Sequence, residues 1–175
     1  MLTLSKALYA QFVKSGRLQN ASSKTKCSTI KFRALDKYEG NHWSKVFSDK
    51  QIVPVLRRIL GTDYKNLISS LDQVKYPDSL SFVDTNGILI LEGGVQGLYT
   101  IMEAKLIVEP CGNIYAAILD GGEKILYFSN DKNYSEKLHP TINEWRSDLE
   151  KRRKQGISKP ESDLPIVFKN KSNTQ

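Results

Sequence analysis

Residues 86–129 read NGILILEGGVQGLYTIMEAKLIVEPCGNIYAAILDGGEKILYFS, and this stretch decides the fold. Apolar, β-prone runs at 88–91, 98–108, 114–119 and 125–128 alternate with turn residues rich in Gly, Asn and Asp. Turn signals about every 8–12 residues predict an antiparallel meander. Asn86-Gly87 is a hairpin signal, with a short strand expected just before it at 80–83. Within 98–108, Ile101, Glu103, Lys105 and Ile107 share one parity while Met102 falls out of step, which predicts a bulge or bend near 102–104.

Helices are expected on both chain flanks of this meander. Asp49 can cap a helix over 50–60, with Ile52, Val55, Leu56 and Ile59 as its apolar stripe. Pro54 suits its first turn and Gly61 its end. A second helix over 64–74 carries Tyr64, Leu67, Ile68 and Leu71. Pro140 opens a third, striped by Ile142, Trp145 and Leu149, whose basic 151–154 run complements the helix dipole. Further toward the N-terminus, Leu4, Leu8 and Phe12 predict an amphipathic helix over 2–14, and Ile30 and Phe32 a half-exposed strand over 28–35. The expectation is an α+β fold: an antiparallel β-meander sheet packed by helices on one face. One domain spans 1–154, with its core at 28–154. A flexible basic tail follows at 155–175, with 166–168 as its docking point.

At 39% hydrophobic residues the chain can bury a core. No apolar run is long enough for a membrane span, and the N-terminus lacks a secretory h-region, so the cytoplasm is the expected compartment. Cys27 and Cys111 lack a metal-ligand spacing and are read as free thiols. The net charge of +7 is uneven. Residues 1–50 hold ten Lys/Arg against three Asp/Glu, residues 51–135 seven against ten, and residues 136–175 nine against six. The meander is thus mildly acidic between basic ends. Such ends suit solvated arms, and also a nucleic-acid module using Arg17, Lys24, Lys26, Lys31 and Arg33 with the 151–154 run.

No phosphate-loop, dinucleotide, zinc-protease, nucleophile-elbow or Cys-x-x-Cys pattern occurs, so no cofactor, metal or catalytic residue is assigned. His42 and His139 are the two histidines, and neither has a recognisable nucleophile or acid partner. Glu103, inside an apolar run, would act as the acid of a small hydrolase if buried in a pocket. The plainer expectation is that it faces solvent or pairs with Lys105. These features favour a binding protein over an enzyme. Glu92, Tyr99, Glu103, Glu109, Tyr115, Asp120 and Glu123 form the expected partner footprint, because tyrosines give contact area and carboxylates complement a basic surface.

Several short motifs carry a family resemblance over roughly residues 50–150. They are Leu60-Gly61-Thr62-Asp63-Tyr64-Lys65, Leu91-Glu92-Gly93, Gly112-Asn113-Ile114-Tyr115-Ala116-Ala117-Ile118 and a closing helix with Trp145. In this order the chain resembles the inhibitor of vertebrate lysozyme family and related small bacterial immunity proteins. The resemblance implies an α+β scaffold that blocks another protein by contact. The exported lysozyme inhibitors insert a Cys-flanked loop bearing a His, and the pattern Cys-Lys-Pro-His-Asp-Cys is missing here. The expected function is therefore a cytoplasmic immunity or antitoxin-type protein that occludes a cognate toxin domain, with nucleic acid and membrane not expected as partners.

Overall fold

A computed structural model describes residues 31–71, 81–95, 97–98, 100–156 and 163–169. The expected helix over 2–14, Cys27, Tyr99 and the basic residues Arg17, Lys24 and Lys26 lie outside the described residues. Six strands form one sheet in sequence order: β1 Phe82–Val83, β2 Leu89–Gly94, β3 Glu103–Val108, β4 Ile114–Asp120, β5 Lys124–Ser129 and β6 Ile166–Phe168. The first five pair antiparallel, as the meander reading requires, and β6 joins β5 in parallel. The α+β class is therefore as expected.

The helices occupy both faces of the sheet. Helices α1 Ile52–Leu60 and α2 Tyr64–Leu71 cover one face. There Leu56, Leu67 and Leu71 pack with Leu89, Leu91, Leu106, Ala116, Ile118 and Phe128. Helix α3 Pro140–Gly156 covers the other, where Ile142, Trp145 and Leu149 pack with Ile107, Tyr115, Ala117, Leu119, Ile125 and Tyr127. The one-face arrangement holds for α1 and α2 but not for the closing helix. The cause is visible in the strands. Every residue of β3 is buried, as is each residue of β4 up to Asp120. β4, covered on both sides, is accordingly apolar without alternation, whereas the charges of Glu103 and Lys105 in β3 are met by Arg152 and Glu92.

Local chemistry accounts for the element ends. Asp49 Oδ1 accepts from the backbone N–H groups of Gln51 (2.7 Å) and Ile52 (3.0 Å), capping α1 as expected. Asp84 Oδ1 accepts from Asn86 and Ile88, both at 2.8 Å, and Gly87 takes a φ of 75°, which builds the β1–β2 hairpin.

Three expectations need correction. Residues 31–34 are irregular rather than a strand, and Leu35–Tyr38 forms a 3-10 turn whose Leu35 and Tyr38 enter the core. Gly93 and Gly94 end β2 instead of forming a turn. A Cβ on Gly93 would lie 2.6 Å from Leu71 O, so glycine lets the end of α2 lie directly on the strand. Residues 163–169 are not a free tail. Ile125 N–H donates to Pro165 O (2.9 Å), and Lys169 N–H to Tyr127 O (2.8 Å), fastening the sixth strand at the 166–168 docking point.

Candidate partner-docking surface

The long run at 98–108 becomes a strand only from Glu103 onward. The described residues of its first part, Leu98 and Thr100–Met102, close back on Val95. Val95 N–H donates to Met102 O, Leu98 N–H to Val95 O, and the N–H groups of Ile101 and Met102 to Leu98 O, all at 2.9 Å. Thr100 takes the left-handed conformation, with φ 71°. A β-branched residue pays for that conformation and holds it only where its surroundings impose it.

Glu103 and Gly122 impose it. Glu103 Oε1 accepts from Thr100 N–H at 2.8 Å. The same carboxylate receives Nη1 and Nη2 of Arg152 from α3, each at 2.7 Å. This bidentate pair fixes the carboxylate in the plane that meets the loop. From the β4–β5 turn, Gly122 N–H donates to Ile101 O at 2.9 Å. Gly122 has a φ of 73°, and a Cβ there would stand 2.9 Å from Thr100 O. The turn glycine is thus needed for its φ and for the close approach of the loop.

The loop so held presents Leu98 and Ile101 to solvent, 38% and 42% exposed. They are two of the three large hydrophobic side chains exposed among the described residues, and Phe168 of β6 is the third. The pinned loop thus exposes two apolar side chains whose backbone is held from within. Exposed Asp120 and Glu123 flank it on the adjoining turn, and Asp120 pairs with Lys124 at 3.3 Å.

The seven residues of the expected footprint divide accordingly. Glu92, Asp120 and Glu123 are exposed. Glu92 is engaged by Lys105 at 2.8 Å, so Lys105 partners Glu92 rather than Glu103. Glu103 is buried beneath the loop, and its oxygens face a guanidinium and a backbone amide rather than a cleft. Tyr115, paired with Ile107, is fully buried and Glu109, just after β3, largely so, at the end of the strands away from the loop. Tyr99 belongs to the loop by sequence but lies outside the described residues. Sequence reading missed Leu98 and Ile101 because they continue an apolar run that looks like strand. The paired signals Gly97 and Gly122 mark the place where the run leaves the sheet.

Glu109 and Tyr115 belong to a separate internal network. Tyr115 Oη donates to Asp131 Oδ2 at 2.8 Å and lies 3.3 Å from Glu109 Oε2. Asn113 Nδ2 donates to Glu109 at 3.1 Å, and the Cys111 thiol reaches it at 3.3 Å. His139 Nε2 stands 3.7 Å from Glu109 Oε1, so this carboxylate does have a histidine partner, contrary to the sequence reading. His139 Nδ1 accepts from Thr141 N–H at 3.3 Å, which places the proton of the neutral ring on Nε2, toward Glu109. The imidazole is thereby committed to the start of α3. Burial would raise Glu109, but the nearby His139 and hydrogen bonds from Cys111 and Asn113 outweigh it and hold the carboxyl below its usual range. Burial, with Glu109 and Asp131 beside it, pushes the Tyr115 phenol far up.

Among the described residues, the expected nucleic-acid residues do not converge. Arg33 is on the segment packed against the α1–α2 face, whereas the 151–154 run is on α3 across the sheet. Within that run Arg152 is spent on Glu103 and Lys151 on Asp148. His42 is exposed and caps the turn Trp43–Ser48 by accepting from Ser44 N–H at 3.3 Å. No metal-binding group of three or more His, Cys, Asp or Glu occurs among the described residues, and no described helix is long and apolar enough to cross a membrane.

These features define an α+β protein with the sheet between two helical layers and a braced apolar loop at one sheet end. No protein-family model, curated protein or solved structure matches the chain.

Proposed function

We propose that this is an immunity or antitoxin-type protein that neutralises a cognate toxin domain by occluding it, with the 95–102 loop as the contact element. The observation that carries the reading is the brace beneath that loop. Glu103, Arg152 and Gly122 together hold Thr100 in a left-handed conformation, and the result is the display of Leu98 and Ile101. Ordering a loop before binding removes part of the entropic cost of association. An apolar centre with a charged rim is the usual anatomy of a protein contact.

The acidic platform expected from the sequence contributes less. Glu103 and Glu109 are internal, while Glu92 and Asp120 have lysine partners. Affinity on this reading comes from the loop, and Glu123 with Asp120 tunes the approach of a basic partner such as a nuclease. The role places the protein in the cytoplasm of the cell it protects, and it needs no catalytic residue of its own.

The test is protection in cells. The protein is co-expressed with toxin domains encoded beside its gene, and growth is compared for wild type and a Leu98→Asp/Ile101→Asp variant. Protection by wild type that disappears in a folded variant supports the reading. Equal protection by the two proteins removes the loop as the contact element. Failure of wild type to protect against any neighbouring toxin removes the function.

A further inference from the structure

A cluster of positive charge with little compensation lies away from the loop. A hollow of 610 Å³ opens beside the start of α1. Arg33, Lys37, Lys45 and Lys50 line it, with Tyr38 and Gln51 adding polar groups. Asp49 is the one carboxylate in the lining, and its oxygens are already occupied. Oδ1 accepts from the Gln51 and Ile52 amides. Oδ2 receives Lys37 Nζ at 2.8 Å and the Tyr38 hydroxyl. Asp49 therefore works as an anchor that sets Lys37 and Tyr38 along the rim. Lys45 Nζ is steered by Asn41 Oδ1 at 2.6 Å. Arg33 and Lys50 have no ion-pair partner among the described residues.

Four cations face one spent carboxylate, which leaves the hollow short of negative charge. A guanidinium and several ammonium groups suit an anion with many acceptor oxygens. The volume falls in the range of small-ligand sites, about 300–1,000 Å³, and exceeds what a single monovalent ion needs. The positive end of α1 adds to the field, although Asp49 already takes its first amides.

We infer that this hollow binds a phosphate-bearing anion, through Arg33 and Lys50 with Lys37 and Lys45 at its sides. The inference is independent of the loop. Phosphate reaches such a site either on a free nucleotide or on a nucleic-acid backbone, and the two sources are separable by experiment.

Binding of inorganic pyrophosphate, ATP and a short single-stranded RNA is measured by calorimetry at several salt concentrations. The full chain is compared with Arg33→Gln/Lys50→Gln and with Lys151→Gln, a charge control on the opposite helical layer. Both target residues are exposed, and circular dichroism checks that the variants remain folded. Wild type is expected to bind at least one probe, and the double variant to bind it about tenfold more weakly with a salt slope reduced by about two. Lys151→Gln is expected to bind like wild type. ATP tighter than RNA identifies a free nucleotide, and RNA tighter than ATP identifies a nucleic-acid backbone. Absence of binding to all three probes, or an equal loss in Lys151→Gln, overturns the site.

Discussion

Arg152 on the last helix holds both carboxylate oxygens of Glu103 on β3, at 2.7 Å each, across 49 residues of chain. Glu103 is buried, whereas the Arg152 side chain is 41% exposed. The pair ties α3 to the sheet at the spot where the 95–102 loop departs. Removing the arginine leaves a buried carboxylate with the Thr100 amide as its remaining described partner. Arg152→Ala is therefore expected to cost about 2 kcal/mol, the scale of a charge-assisted hydrogen bond. Urea denaturation measures the loss, and faster hydrogen exchange at Thr100 would show that the loop itself has loosened. Wild-type exchange there would mean that Arg152 does not brace the loop.

Gly121 and Gly122 offer an internal comparison. Both have positive φ, at 60° and 73°, but only at Gly122 would a Cβ meet backbone, 2.9 Å from Thr100 O. Gly121→Ala should cost about 1–2 kcal/mol from left-handed strain alone. Gly122→Ala should cost more, because the loop must also move. Equal melting temperatures for the two variants would exclude the close approach as a constraint.

Two carboxyls predict the acid limb of stability. Burial opposes ionisation at Asp49 and at Glu109, yet hydrogen bonds win at both. Lys37, Tyr38 and the Gln51 and Ile52 amides hold Asp49 well below its usual range, and His139, Cys111 and Asn113 hold Glu109 down. A depressed folded value stabilises the native state above the unfolded pKa, near 4, and the gain fades as pH falls through the folded value. Stability should therefore decline below about pH 4. Asp49→Ala should lose about 0.5–2 kcal/mol at neutral pH, the range for a helix cap, and show a shallower acid decline. An unchanged acid limb in that variant would refute the assignment.

The residues first expected to touch a partner should split by assay. Tyr115→Phe removes the hydroxyl that donates to Asp131 and should destabilise by about 1–3 kcal/mol. On the proposed function, the affinity of its folded fraction for the toxin should match wild type. Leu98→Asp/Ile101→Asp should do the reverse, with near-normal stability and lost binding. Reduced affinity in a fully folded Tyr115→Phe protein would argue against the loop as the contact element.

Much of this architecture is legible in the chain. The turns at Asn86-Gly87, Gly112-Asn113 and Gly121-Gly122 delimit the strands, and Asp49, Gly61 and Pro140 punctuate the helices, because these are local conformational preferences. The uninterrupted apolar run of β4 also carries the information that both sheet faces are covered, whereas β3 hides it behind Glu103 and Lys105.

Spacing and turn chemistry within a few residues foretell the antiparallel meander and the helix stripes, whereas the parallel sixth strand and the departure of the chain from the sheet before Glu103 are set by tertiary contacts. Tertiary structure alone decided which charges are free. Glu103 meets Arg152, Glu109 meets His139, and Asp49 takes Lys37, all through contacts between segments well separated in the chain. The first two pairings turn expected surface carboxylates into internal braces. They leave Leu98 and Ile101 on the loop, and Arg33 and Lys50 in the hollow, as the groups open to a partner. Local patterns cannot report such pairings, because an ion pair is fixed by where the fold brings two side chains and not by their distance along the sequence.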